Sequence, residues 1–263
     1  MVEINIGGRI MNKFQGKLFI EGEIILVTGL HIGGSKETGE IGGLDNPVIK
    51  TVKGVPYIPG SSLKGKIRCL LERTLLNLEN GEPCGCGRED CVICNLFGSH
   101  SARNKTLTRL IVRDSFLDEE HFRKEFGEIL EDEYTEEKTE NIIDRINGTA
   151  LHPRTMERVP AGAKFKFSSA ISYYENDNID ALTRTFIEGL RLLEDDYLGG
   201  SGTRGYGQIK FENLNFYVKN LNSYMGDNKK HPILSNIKSL SNININELIK
   251  ELETKMKVKK NES

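Results

Sequence analysis

No stretch of this sequence approaches the ~20 consecutive apolar residues that a membrane-crossing helix needs, so no helical membrane span and no membrane partner are expected. The first residues, Met1-Val2-Glu3-Ile4-Asn5-Ile6, lack the charged-then-apolar pattern of a signal peptide, and a cytoplasmic protein is the expectation. Internal repeats at solenoid spacing are missing, which removes repeat arrays. The Gly-Lys-Ser/Thr ending of a phosphate-binding loop is also missing, and no glycine-rich turn stands between strand and helix as a dinucleotide fold requires. Net charge is small, −2 from 36 basic and 38 acidic side chains, so the chain as a whole exerts no strong pull on nucleic acid. What remains, at 37% hydrophobic and 28% charged residues, is an ordinary folded composition. A length of 263 residues is enough for one compact body with insertions.

The small net charge conceals segregation. Residues 118–144 hold twelve acidic side chains against Arg123, Lys124 and Lys138, a net of −9, which leaves +7 for the rest of the chain. That remainder can build a basic, phosphate-facing surface. The acidic stretch reads as a solvated helix face. Cysteine is equally uneven: four of the five fall at Cys84, Cys86, Cys91 and Cys94. Such crowding in a cytoplasmic protein points to a metal before disulfides. Four thiolates complete a tetrahedral structural zinc site, with Cys91-x-x-Cys94 a normal half-site and Cys84-x-Cys86 a tight one. His100 is an alternative fourth ligand, and a loop of free thiols is the competing reading. Cys69 sits among Ile67, Leu70 and Leu71 as packing.

Residues 16–28 alternate as a strand and end in the glycine-rich turn 29–35. Residues 36–47 read as a loop, and a short hairpin follows around Lys53-Gly54. The clearest helix then opens at Ser61 or Ser62 as cap and carries Leu63, Ile67, Leu70, Leu71, Leu75 and Leu76 on one face. After the Cys-rich insert, a strand is expected near 110–112, and a loop from Asn147 to Arg158. A strand over Lys164–Tyr174, a helix over Ile179–Leu193 and a strand over Gln208–Tyr217 complete the order. That order is α+β and ferredoxin-like, with sizeable insertions that include the Cys-rich, zinc-binding one. From Asn220 onward a loosely attached tail is expected, helical around 243–258.

Four places carry candidate chemistry. The turn Gly202-Thr203-Arg204-Gly205-Tyr206-Gly207 offers close backbone approach at Gly202 and Gly205, a phosphate clamp at Arg204 and a base-stacking ring at Tyr206. A tight helix-to-strand turn is the plainer reading. Lys64, Lys66 and Arg68 crowd the start of a helix, where the macrodipole already favours anions, so a phosphate backbone is the partner that would make sense of them. His31, whose imidazole can donate and accept hydrogen bonds, suits an RNA contact, proton transfer or a purely structural hydrogen bond. Asp45, in Gly42-Gly43-Leu44-Asp45-Asn46-Pro47, suits RNA cleavage as general base or as an oxygen ligand to magnesium. It equally suits a turn-capping role.

Leu30-His31-Ile32-Gly33-Gly34, Gly43-Leu44-Asp45-Asn46-Pro47-Val48, the run Tyr57 to Lys66 and the 199–207 turn occur together and in order. In these motifs the chain resembles the RAMP family, and among its members the backbone subunit of the type III-A (Csm) CRISPR interference complex. The resemblance spans about residues 16 to 218. It implies an RRM-like palm domain over 1–220 with inserted lobes, a zinc and helical one at about 80–145 and a thumb-like loop at about 147–160, and a tail over 221–263. It implies polymerisation of copies along CRISPR RNA, contact with other Csm subunits, and endoribonucleolytic cutting of target RNA. Asp45 is then the catalytic residue, with a divalent cation, Mg²⁺, assisting. Two other functions compete: a non-catalytic RNA-binding backbone module, and a RAMP endonuclease that processes CRISPR RNA from a histidine-centred site.

Overall fold

The computed structural model describes residues 13–34, 47–76, 81–99, 106–130 and 133–256. Its centre is β1 (Phe14–Leu26), whose side chains alternate between two environments. Leu18, Ile20, Ile24 and Leu26 are buried on one face, while Lys17, Phe19, Glu21 and Glu23 are half-exposed on the other. Period two with one wet face is the signature of an antiparallel strand inside a one-sided sheet. β7 (Lys164–Tyr174) and β8 (Ile209–Asn220) pair antiparallel with β1 on either side. The register sets Ile24 opposite both Phe165 and Phe211, and Leu18 opposite Ile171 and Val218. β3 (Leu110–Val112) extends the sheet beyond β7 and β9 (His231–Ser239) extends it beyond β8, giving the order β3-β7-β1-β8-β9. With α1 (Gly60–Leu75) and α4 (Ile179–Asp195) between the strands, the first four strands follow the ferredoxin-like pattern expected from the sequence.

Both helices lie on the apolar face. α1 buries Leu63, Ile67 and Leu71, and α4 buries Leu182, Phe186, Leu190 and Leu193, all in one core with the sheet. They approach closely at Gly189, where an added Cβ would lie 2.6 Å from Ile67 Cγ2 and 2.8 Å from Leu71 Cδ1. The start of α1 differs from expectation. Ser61 and Ser62 lie inside its first turn, and the Gly60 N–H is accepted by Asp114 Oδ1 at 2.8 Å. A carboxylate from 54 residues downstream supplies the cap that a local serine would otherwise give.

The insertions hold most of the remaining corrections. β2 (Tyr57–Ile58) pairs with β4 (Ser115–Phe116), and the hairpin preceding it closes through the Lys50–Pro56 bridge. α2 (Val92–Phe97) carries the last cysteine. The acidic stretch is helical only over α3 (Glu119–Phe126); its second half is β5 (Glu136–Ile143), a strand. The segment expected as a loop is mostly β6 (Ala150–Arg158), paired with β5 in a two-stranded hairpin. Neither strand shows apolar alternation, because the hairpin stands largely in water and only cross-strand pairing keeps it extended. The tail is also corrected. α5 (Leu221–Met225) leads into β9, a full member of the main sheet, and α6 (Ile245–Met256) turns Leu248, Leu252 and Met256 into the core. Covering the β8 edge satisfies backbone groups that would otherwise be open. Among the described residues no helix is long and apolar enough to cross a membrane.

Gly189→Ala sets two effects against each other. The added methyl gains up to about 1 kcal/mol of helix propensity but must push Ile67 and Leu71 aside, an overpacking cost of about 1–3 kcal/mol. Packing is expected to win, and the urea midpoint of the variant should fall below that of the parent.

Candidate nucleic-acid interface and metal centre

Segments far apart in sequence meet at one end of the sheet. The strand-end turn 29–34 pairs with 47–49: Gly34 N–H donates to Pro47 O at 2.9 Å and Ile49 N–H to Ile32 O at 2.8 Å. The 199–207 turn lies against the same place, with Gly200 N–H donating to His31 O at 2.8 Å and Gly207 N–H to Gly29 O at 3.0 Å. The hairpin root joins through the Leu30–Val159 bridge. Asp45 falls outside the described residues, as do Gly42 and Gly43; in the chain it stands two positions before Pro47.

At the crossing of these segments sits Glu157, only 3% exposed. Its carboxylate accepts from the Val48 N–H at 2.6 Å, from Lys50 Nζ at 2.6 Å and from the Thr135 hydroxyl at 2.8 Å. Burial pushes its pKa up, but the Lys50 ammonium, the Val48 N–H and the Thr135 hydroxyl outweigh burial and hold it below the ordinary value. Its backbone carbonyl accepts from His31 Nδ1 at 2.7 Å. A carbonyl acceptor fixes the proton on Nδ1, so His31, 7% exposed, is oriented by β6 and tucked beneath the glycine-rich turn. Of the three roles open to His31, the structure supplies the structural hydrogen bond.

The glycine-rich turn divides its roles. Gly202 is a packing glycine, because a Cβ there would fall 1.9 Å from Tyr197 Cγ. Gly205 has open space around it but a φ of +85°, the left-handed region where glycine escapes the side-chain penalty. Arg204 is 55% exposed and stands 3.8 Å from Glu140. Tyr206 departs from expectation. It is 1% exposed, with Lys138 Nζ 4.6 Å and the Arg158 guanidinium 5.0 Å from its ring centre. That ring offers no face for a base to stack upon.

Around Tyr206 the hairpin brings Lys138, Arg154 and Arg158 beside Arg204 of the turn. Lys138, Arg154 and Arg204 all lie within 3.9 Å of the one Glu140 carboxylate, and Arg158 pairs with Glu136 at 2.7 Å. Three cations share a single carboxylate, so this partly exposed patch carries excess positive charge. Glu140's pKa is lowered, chiefly by the Arg154 hydrogen bond. The signal in the sequence was an every-second-residue spacing, Glu136/Lys138/Glu140 and Arg154/Met156/Arg158. With no apolar alternation to reveal a strand, that spacing looked like a solvated helix face in the first segment and a loop in the second.

The cations at the start of α1 are corrected in the opposite sense. Lys64 Nζ donates to Leu110 O at 3.0 Å, and burial, then the Arg68 charge, lower its pKa. Lys66 pairs with Asp196 at 3.2 Å and lies 3.8 Å over the Tyr197 ring. Arg68 pairs with Glu72 and donates to Cys84 O at 2.6 Å. The partners that looked missing are thus supplied by the chain itself.

Arg68 and Glu72 also dock the Cys-rich insert, since Glu72 accepts the Cys84 N–H at 2.9 Å. Cys84, Cys86, Cys91 and Cys94 offer four sulfurs all within 4.8 Å of one another. Individual separations are 3.6 Å for 84–86, 3.9 Å for 84–91 and 3.7 Å for both 84–94 and 86–94. Backbone N–H groups of Gly87 and Cys94 point at the sulfurs of Cys94 and Cys91. Burial pushes the Cys86 thiol up, but the Arg88 backbone N–H and the neighbouring thiols outweigh it and bring its pKa down to about 7. This cluster can hold a metal ion. His100 lies outside the described residues.

Glu157's depressed pKa carries a pH signature. Because the folded value lies below the ordinary 4.5, its contribution is complete above about pH 4.5 and is lost as pH falls through the folded value. Glu157→Gln should cost about 1–3 kcal/mol at pH 7 and reduce the loss of stability as pH falls below about 4.5 in thermal melts. An undiminished acid loss would assign that pH dependence to other carboxylates.

The family model described as the RAMP superfamily matches residues 23–210. A Methanocaldococcus jannaschii protein named CRISPR system Cms endoribonuclease Csm3 is 47% identical over 247 residues, 91% of this chain and 94% of its own. A Methanothermobacter thermautotrophicus protein of the same name is 46% identical over 248 residues, 88% of this chain and 98% of its own. Among solved structures, a Csm3–Csm4 subcomplex in the type III-A CRISPR–Cas interference complex matches with a TM-score of 0.60 at 37% identity, covering 93% of this chain and 97% of that one. The Methanopyrus kandleri Csm3 crystal structure, with a TM-score of 0.54 at 22% identity, covers 81% of this chain and 80% of its own and shares the fold. A ferredoxin-like sheet whose motif-bearing turns converge at one end, matched over most of its length by these relatives, places the chain in the RAMP superfamily and, within it, among the Csm3 proteins.

Proposed function

We propose that this chain is the guide-RNA-binding backbone subunit of a type III-A CRISPR effector complex and an endoribonuclease that cuts complementary target RNA. The observation that carries this reading is the 47% identity across 91% of the chain to a relative named as a Csm3 endoribonuclease. Its partners are the CRISPR RNA, the target RNA, further copies of itself along the guide and other Csm subunits, the last supported by the Csm3–Csm4 neighbour. A reducing cytoplasm suits the four crowded thiols.

The hairpin β5–β6 is assigned as the thumb within a palm formed by the main sheet. In support, its far end exposes Ile142, Ile143, Ile146 and Leu151, at 61%, 53%, 92% and 39%. Apolar side chains clustered at such an end call for a partner surface, and unstacked bases provide one. The basic patch of Lys138, Arg154 and Arg204 at its root suits the phosphates. Asp45 is assigned the cutting step, as base toward the attacking 2′-hydroxyl or as an oxygen ligand to Mg²⁺, a cation suited to carboxylate oxygen. A complex assembled with Asp45→Ala should bind guide and target normally and fail to cut; cutting at the parental rate would sink the assignment.

Zinc is the metal we assign to the cysteine cluster. Four thiolates at Zn–S distances near 2.3 Å stand about 3.8 Å apart in a tetrahedron; four of the six separations are 3.6–3.9 Å and the other two lie within 4.8 Å. Its role is structural, because a full set of protein ligands leaves no open position. Elemental analysis of freshly purified protein should give about one zinc per chain, and Cys91→Ser should lower both zinc content and melting temperature. Protein purified without zinc and melting at the same temperature would retire the site.

A further inference from the structure

The hairpin leaves the body along two faces, and its root is gripped on both. One face points Glu157 toward Val48 and Lys50. The other, carrying Glu136, Lys138 and Glu140 opposite Arg158, Met156 and Arg154, points toward the glycine-rich turn. On that second face one neutral side chain from the turn stands among the charges: Tyr206, buried, with Lys138 Nζ and the Arg158 guanidinium both within 5.0 Å of its ring centre. Its hydroxyl is buried beside the Glu140 carboxylate, and burial, then that carboxylate, raises its pKa.

We infer that Tyr206 is a positioning residue for RNA cutting: its ring clamps Lys138 and Arg158 and so fixes the angle at which the hairpin meets RNA. Several observations support this. The two strands form a separate two-stranded sheet, whose backbone joins the end of β1 through the single Leu30–Val159 bridge. A hairpin of this kind is marginal without packing at its base. A cation over an aromatic face contributes more once desolvated, and Tyr206 is 1% exposed, with Met156, opposite Lys138 on the hairpin, 7% exposed. The clamp also joins the turn bearing Arg204 to the strand bearing Glu140, so a group gripping phosphate and the projecting hairpin move as one piece. Loss of the clamp would free the hairpin's angle without removing any group assigned to bond breaking.

This inference rests on the reading of the chain as a target-cutting subunit, and the experiment separates the two. Complexes assembled with guide RNA from parental protein, Tyr206→Phe, Tyr206→Leu and Lys138→Met are tested for target affinity, single-turnover cutting rate and cut position. Tyr206→Phe keeps the ring and should cut at the parental rate and positions. Tyr206→Leu should bind target normally but cut about tenfold or more slowly, a loss of the size expected for a misplaced reacting geometry, or cut at positions spread over neighbouring nucleotides. Lys138→Met should shift cutting in the same direction; because it alters a surface side chain, it also serves should the leucine variant fail to assemble. Parental rate and positions in Tyr206→Leu, or in Lys138→Met where Tyr206→Leu does not assemble, would overturn the inference. So would a Tyr206→Phe defect equal to that of leucine. Absence of target cutting by the parental complex would instead overturn the underlying functional reading.

Discussion

A carboxylate at 3% exposure is stable only where donors surround it, and Glu157 has three, from Val48, Lys50 and Thr135. Removing it would strand a half-buried ammonium and a buried N–H. Everything at this end of the molecule is referred to that one group. It fixes the segment 47–50, its own carbonyl orients His31, and its strand is the root of the projecting hairpin. His31 in turn accepts the Gly200 N–H through its carbonyl and thereby seats the glycine-rich turn. Four segments far apart in the sequence, 29–34, 47–50, the hairpin root and 199–207, are thus one hydrogen-bonded unit.

The sheet supplies the rigid base for that unit. β1 binds β7 and β8 along nearly its whole length, so the turn at its end has little freedom. Helices α1 and α4 close one face, and the chemistry is left to turns at the end of the strands. Functional groups carried on loops above a rigid scaffold are a common arrangement, because the scaffold can hold geometry while the loops vary. The Cys-rich insert belongs to the same logic: Arg68 and Glu72 tie it to α1, so a metal bound there would brace the helix rather than act on RNA.

Much of the fold was legible from residue pattern. The alternation of β1, the apolar stripe of α4 and the run from Lys164 to Tyr174 each announced their type, because each buries one face against a core. The cysteine spacing announced a metal cluster for a similar reason: the ligands are local. The hairpin was not legible, since its strands bury little and are held by pairing with each other. Nor was β9, whose extended form depends on an edge provided by β8. At the site, composition misled in a consistent direction. Lys64, Lys66 and Arg68 looked unpaired because their partners, Leu110 O, Asp196 and Glu72, lie on other segments or are buried. Tyr206 looked like a stacking platform because no sequence window contains Lys138, Arg158 and the turn together.

The sequence by itself determined which segments fold as helix or strand wherever a core is faced, the four sulfurs that can share a metal, and the family motifs, in order. These are properties of neighbours along the chain, and short-range spacing records them. Tertiary structure alone decided which charges are free. A cation's availability depends on whether an acceptor from a distant segment comes within about 3–4 Å, where the interaction is strong enough to hold it. That distance is set by the packing of the sheet end and hairpin root, and no local pattern encodes it.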